Sequence, residues 1–334
     1  MDMLKKVCFI TLGAAFFFVP CFWSPARDWA PGLAVLIGIV FSVTWGNPFS
    51  EYTSKITSNL LGLTIVGMGF GMDLIDVLRA GGNGFVYTFI GIALGLFLGT
   101  MLGKAFKVSK NTACLISVGT SICGGSAIAA AAPVLKAKAH EIALASATVF
   151  LLNAIALWLF PAVGRLLGFD QMQFGYWAAL AIHDTSSVVG ASMAYGSEAL
   201  EVGTTVKLAR ALWIVPVTLF LSWFAAAPEG EEKSRFKLRV PWFIPWFILA
   251  SALVTWLPRV IPDGAGWIAD GGALVKNVSK YLMITTLFLI GSNLNKDKLK
   301  QLGIRPVIQG FFLWVLLAGI WCCAIYFHWV KCVK

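Results

Sequence analysis

The chain has 334 residues, of which 58% are hydrophobic and only 13% charged, and its mean hydropathy is +0.81. Soluble domains carry about 25% charged residues, so the composition excludes a soluble globular protein and indicates a polytopic membrane protein. The net charge of +10 does not argue for nucleic acid, because the basic residues concentrate in short loops, where they set membrane topology.

Residues 7–22 are apolar after Lys5 and Lys6, as in a signal peptide. No small-residue cleavage site follows and further apolar segments do, so the segment reads as a first membrane helix. A span needs roughly 20 apolar residues. Candidates are 4–22, 31–46, 58–76, 84–103, 140–164, 203–225, 242–257, 272–293 and 306–330, nine in all. Trp23, Trp29, Trp242, Trp246, Trp256 and Trp267 fall near span ends, as an interfacial belt does. The longest polar stretch, Pro228 to Arg239, is too short to stand alone. The whole of 1–334 is therefore expected to be one all-α transmembrane domain with a cytoplasmic loop at 228–240.

Two further segments, 110–137 and 172–197, are apolar but interrupted. The interruptions lie in GTSICGGSAIAAAAP (119–133) and AIHDTSSVVGASMAYG (181–196). Lipid-exposed backbone does not tolerate such breaks, because nothing there satisfies the freed N–H and C=O groups; they occur where backbone is buried in protein or lines a wet cavity. Paired broken segments near the membrane midplane are where secondary transporters commonly hold their substrate. The expected core thus joins 110–137 with 140–164, and 172–197 with 203–225.

Loop charges orient the chain. Lys5 and Lys6 place the N-terminus inside, as do the loops with Lys104, Lys107 and Lys110, with Lys233 to Arg239, and with Lys296 to Arg305. The acidic loops at Asp170, at Glu198 and Glu201, and at Asp263 and Asp270 fall outside, and the C-terminus falls outside despite Lys331 and Lys334. The charge rule favours two re-entrant hairpins entering from opposite faces over two crossings, by a margin of one net basic residue. A weak internal repeat pairs 60–82 with 280–303, aligning Gly71 with Gly291 and Asp73 with Asn293, on helices running in opposite directions. Asp73 and Asn293 read as caps or hinges. Inverted repeats with a site at their interface are a common transporter plan.

In the first break, Gly124 and Gly125 permit close backbone approach, and Thr120, Ser121 and Ser126 supply hydroxyls. A half-helix beginning near Ser126 would aim free N–H groups at the break, which favours an anion. In the second, Asp184 is placed to cap a half-helix that starts among Thr185, Ser186 and Ser187. His183 titrates near neutral pH in ordinary surroundings, so the His183–Asp184 pair could carry a coupled proton. Lys207 and Arg210, three residues apart on the next helix, share a face with no acidic partner in that helix. They read either as anion contacts or as partners of a carboxylate such as Asp184. Asn153 sits at mid-span, either bonding to a break or joining two helices. The seven cysteines show no metal or redox spacing, and only Cys123 lies in a break.

The strings CGGSAIAAAAPV and AIHDTSSVVGAS, with NPF at 47–49, resemble the YeiH-type sulfate-exporter family, over nearly the whole chain. The resemblance implies membership of the cation/proton antiporter and anion transporter superfamily: inverted repeats, broken helices, a core domain moving against a scaffold, and a bacterial inner-membrane carrier. Carriers of this architecture often form a homodimer through the scaffold, although no interface signature is legible here.

The expectation is a secondary carrier of a small oxyanion such as sulfate or an organic sulfonate, driven by H⁺ or Na⁺. Thr120, Ser121, Gly124, Gly125, Ser126, Asn153, Thr185, Ser186, Ser187, Lys207 and Arg210 would hold the substrate, with His183 and Asp184 coupling protons. An alternative is a cation/proton antiporter with Asp184 as the ion ligand; another is an intramembrane enzyme using Ser121 or Cys123. The chain carries no Walker motif, dinucleotide fingerprint, HExxH or GxSxG, so no enzymatic activity, cofactor, metal or nucleic-acid partner is expected. The bilayer is its surrounding.

Overall fold

The computed structural model describes residues 2–23, 26–224, 242–261, 265–293 and 303–332. The expected loop 228–240 and the basic residues 296–300 lie outside them, as does the side chain of Trp29. The protein is an all-helical, multi-pass membrane protein: among the described residues, seven helices are long and apolar enough to cross a bilayer by length and composition. Trp23, Trp242, Trp246, Trp256 and Trp267 are exposed close to helix ends.

The helices sort into two bodies. One comprises α1 (Asp2–Phe22), α2 (Ala26–Thr44), α3 (Ser50–Gly69), α12 (Phe243–Val260) and α13 (Ala265–Ser292). The other comprises α4 (Leu74–Ala105), α5 (Lys110–Ser121), α6 (Gly125–Val134), α7 (Ala139–Leu166), α8 (Gln171–Ala181), α9 (Thr185–Tyr195), α10 (Ser197–Ala211), α11 (Ile214–Phe224) and α14 (Ile304–Tyr326). Each packs mainly within itself, and the two meet chiefly where α2 lies on α9 and α12 on α4. A Lys276–Glu201 ion pair joins α13 of the first body to α10 of the second. In the first body, Asn47 of the NPF string ties the α2–α3 turn to the end of α13, donating to Thr53 Oγ1 (2.9 Å) and Asn293 Oδ1 (3.2 Å).

Several expected boundaries move. The span expected at 58–76 ends at Gly69, and Leu74–Asp76 belong to α4. The cause is Asp73, whose carboxylate accepts from the Ile75 N–H at 2.7 Å and so starts a new helix, the capping role expected of it. The span expected at 203–225 begins earlier, at Ser197, and is interrupted at Leu212–Trp213 between α10 and α11.

The two broken segments are hairpins. α5 has 12 residues and α6 has 10, about 18 and 15 Å of helix. Their order alone would allow a crossing, but the ends of the segment lie together. Ser109 Oγ and Asn111 Nδ2, at the start of α5, donate to the Glu141 carboxylate at the start of α7 (3.0 and 3.1 Å). α7 then runs 28 residues to the other face. There α8 enters and α9 returns: Tyr195 Oη donates to the Phe169 carbonyl, and Glu198 N–H to Gln171 Oε1, both at 3.0 Å or less. The hairpins therefore enter from opposite ends of the molecule. Lys104, Lys107, Lys110, Lys136, Lys138 and Arg305 gather at the end where α5 enters. Asp73, Asp76, Asp170, Glu198 and Glu201 gather at the other, with Arg79, Arg165 and Lys276 among them.

Glycines let the long α4 lie close to its neighbours. Gly91, Gly95, Gly99 and Gly103 recur every fourth residue along one buried face. An added Cβ would meet Trp321 of α14 at Gly91, Ser121 and Ser117 of α5 at Gly95 and Gly99, and Ala113 at Gly103. Gly82, on the same helix, has nothing within 4 Å. Gly99→Leu should therefore lower unfolding stability in detergent by about 1–3 kcal/mol through overpacking. Gly82→Ala should hold or raise it by up to about 1 kcal/mol through helix propensity. Equal melting of the two variants would show that α4 does not depend on this approach.

Candidate functional site

Four half-helix ends converge where the hairpin tips meet. α5 and α8 arrive with their C-termini; α6 and α9 depart with their N-termini. The tips touch: a Cβ built on Gly124 would lie 3.2 Å from Asp184 Cβ. Gly124 has φ +69°, a left-handed conformation that a side chain would strain, so glycine is required there for both backbone and space.

The last carbonyls of α5 and α8 have no intrahelical partner, and they are buried. Two cations from α10 satisfy them. Arg210 donates through Nε to the Ser121 carbonyl (2.8 Å), through Nη2 to Thr120 (3.0 Å) and through Nη1 to Ala179 and Leu180 (2.9 and 2.6 Å). Lys207 Nζ donates to the carbonyls of Ile182 (2.6 Å) and Ile122 (3.1 Å). Both side chains are buried, at 0% and 2% exposure. Their charge also sits where both half-helix dipoles are negative. Their donors are thus committed to backbone rather than free for a ligand, and neither pairs with a carboxylate within ion-pair distance among the described residues.

The N-terminal ends differ from one another. Asp184 caps α9: its carboxylate accepts from the Ser186 N–H (3.1 Å) and from the Ser186 hydroxyl. Thr185, Ser186 and Ser187 follow in the buried first turn. α6 has no side-chain cap at Gly124. Gly125 is half-buried and Ser126 is exposed there, while Asp184 is half-buried opposite, so the meeting point reaches the surface of the bundle at this edge. From α7, Asn153 Oδ1 accepts from the backbone N–H groups of His183 and Asp184, both at 3.2 Å, pinning the second tip. That arrangement leaves its Nδ2 unpartnered and buried.

Not every expected residue faces the tips. The Ser121 hydroxyl lies against Gly95 of α4. The His183 ring turns from Asp184 towards α14, edge to face with Trp314 at 6.2 Å. Both His183 ring nitrogens, Trp314 Nε1 and the hydroxyls of Thr120 and Ser121 are buried without hydrogen bonds. Trp314, from α14, was not among the expected residues; its neighbour Gly310, packed on Thr148 and Leu152 of α7, is the close approach that brings it in. A separate cavity of about 230 Å³ lies at the acid-rich end, lined by Asp73, Asp76, Glu201, Thr205 and Lys276. It sits on the face of α10 opposite Lys207 and Arg210 and is not part of the tip site.

Two opposed hairpins meeting inside a helical bundle define a class of multi-pass membrane protein with an interior polar centre. Residues 24–310 match the family model described as conserved hypothetical protein 698. A UPF0324 membrane protein of Bdellovibrio bacteriovorus is 50% identical over 297 residues, 89% of each chain. One from Geobacter sulfurreducens is 46% identical over 296 residues, covering 89% of this chain and 91% of the relative. One from Bacteroides thetaiotaomicron is 44% identical over 298 residues, 89% of this chain and 86% of the relative. The chain belongs to this UPF0324 family of membrane proteins. No solved structure matches it.

Replacing Arg210 tests the capping role. Arg210→Met orphans buried carbonyls at about 1–3 kcal/mol each, so it should cost at least about 3 kcal/mol of unfolding stability. Arg210→Lys keeps the charge but not the fork and should lose clearly less. Urea or thermal unfolding in detergent reads both, and a Met variant as stable as the Lys variant would refute the role.

Proposed function

We propose that the protein is a secondary carrier of a small oxyanion, with its binding site at the meeting point of the hairpins. The observation that carries this reading is the uncapped N-terminus of α6, open at Gly125 and Ser126, opposite the N-terminus of α9 and backed by two buried cations. Helix N-termini bind anions through free N–H groups and their dipole. The unpartnered Asn153 Nδ2 and Thr120 hydroxyl add donors nearby. Sulfate or an organic sulfonate is the substrate class that the sequence resemblance suggests.

Asp184 offers a route to proton coupling. Its carboxylate already occupies the space between the two N-termini. An oxyanion arriving there meets a like charge unless Asp184 takes up a proton, so anion and proton would bind together. His183, its neighbour in sequence, turns its ring towards Trp314 rather than Asp184, so on this reading Asp184 carries the proton itself. The two bodies would slide past one another, exposing the tips to each side in turn. The positive-inside rule puts the lysine-rich end in the cytoplasm of a bacterial inner membrane, with the N-terminus inside and the C-terminus outside.

A cation/proton antiporter is the second reading, because Asp184 is half-buried at the mouth of the site. Flux into proteoliposomes separates the two. Labelled sulfate and a sulfonate should enter saturably under an imposed pH gradient, and Asp184→Asn should uncouple entry from pH. Proton movement that follows added Na⁺ or K⁺, with no anion flux under any gradient, would favour the antiporter.

Orientation has its own test. In a background without the native cysteines, Asp170→Cys should react with an impermeant maleimide from outside intact cells, and Lys138→Cys only after lysis. The opposite pattern would invert the assignment.

A further inference from the structure

Lys207 is coordinated as a metal ion would be. Its Nζ lies 2.6 Å from the Ile182 carbonyl oxygen, 3.1 Å from that of Ile122 and 3.5 Å from that of Ala179. Ile122 and Ile182 are the residues at which the two hairpins unwind, and Ala179 is in the last turn of α8. An ammonium has three N–H donors and no acceptor, so three carbonyls match it fully. A neutral amine would turn a lone pair against one of them. Carbonyls of unwound segments and half-helix C-termini are also the ligands with which broken-helix carriers hold a coupling cation.

We propose that this is a monovalent-cation site at the hairpin crossing that the chain fills with its own lysine. The tethered ammonium takes the place of Na⁺ or K⁺, so no free alkali cation is needed to hold the two breaks together. Occupancy of the site stands on geometry alone. Its bearing on coupling, which it moves from Na⁺ to H⁺, rests on the carrier reading above.

Truncating the side chain should uncover the site. Lys207→Ala keeps the inward carbonyls and leaves room among them for an ion. Lys207→Met fills the same space with apolar atoms. The experiment is thermal unfolding of the purified proteins in choline chloride, NaCl, KCl and ammonium chloride at matched ionic strength. The wild type should melt at one temperature in all four salts. Lys207→Ala should melt lower in choline and rise saturably, by about 2–4 °C or more, with Na⁺, K⁺ or ammonium. Lys207→Met should stay low and unresponsive.

A saturable rise of the wild type with Na⁺ or K⁺ would overturn the assignment, as would a Lys207→Ala protein indifferent to cations or a Met variant that responds equally. If the Ala variant does not survive purification in choline, recovery only in high NaCl supports the site and recovery in neither salt overturns it. None of these readings requires transport, so failure here is distinct from failure of the anion-carrier proposal.

Discussion

The centre of this protein depends on six backbone carbonyls being satisfied away from water. Those of Thr120, Ser121, Ile122, Ala179, Leu180 and Ile182 point inward where α5 and α8 end, and Lys207 and Arg210 supply every donor that reaches them. A break in a membrane helix is otherwise costly at each freed group. Because both cations come from adjacent turns of α10, one helix fastens both hairpins at once. The two tips are thus held in register with each other, although they belong to segments that enter from opposite faces.

That coupling gives the second body its unity. α10 packs against α8, α9 and α4; α4 lies close on α5 through its glycine stripe; and α14 closes over α4, α5, α7 and α8. Joins to the first body are fewer, and one is the Lys276–Glu201 ion pair beside the acid-lined cavity. A tightly bonded interior with lightly joined flanks is the mechanical arrangement that the carrier proposed above would need.

Much of this arrangement could be read from residues. Polar, glycine-bearing strings in apolar runs marked both breaks, because buried backbone without regular hydrogen bonds needs small and hydroxyl residues. Asp184 and Asp73 were legible as caps from their place before helical segments. The hairpin topology was legible only narrowly, since it turned on one net basic residue; the bonds from Ser109 and Asn111 to Glu141 that close the first hairpin join residues about 30 apart. The targets of Lys207 and Arg210 were not legible, because backbone carbonyls leave no trace in side-chain identity. Nor was Trp314, whose approach to His183 depends on how α14 crosses α7. The four-residue glycine period in GIALGLFLGTMLG (91–103) was in plain view and is the signal that could have placed α4 against α5.

The hydrogen-bond directions at the tips bear on which charge the proposed site would accept. The inward carbonyls, the natural ligands for a cation, are taken by the chain's own cations, so the acceptor side of the site is closed. On the other side, Asn153 spends its oxygen on two backbone N–H groups and presents its amide nitrogen, and α6 presents an uncapped first turn. The carboxylate at the tips is that of Asp184, already engaged by Ser186. Backbone and amide donors left unspent, with two cations behind them, are what the oxyanion reading proposed above calls for.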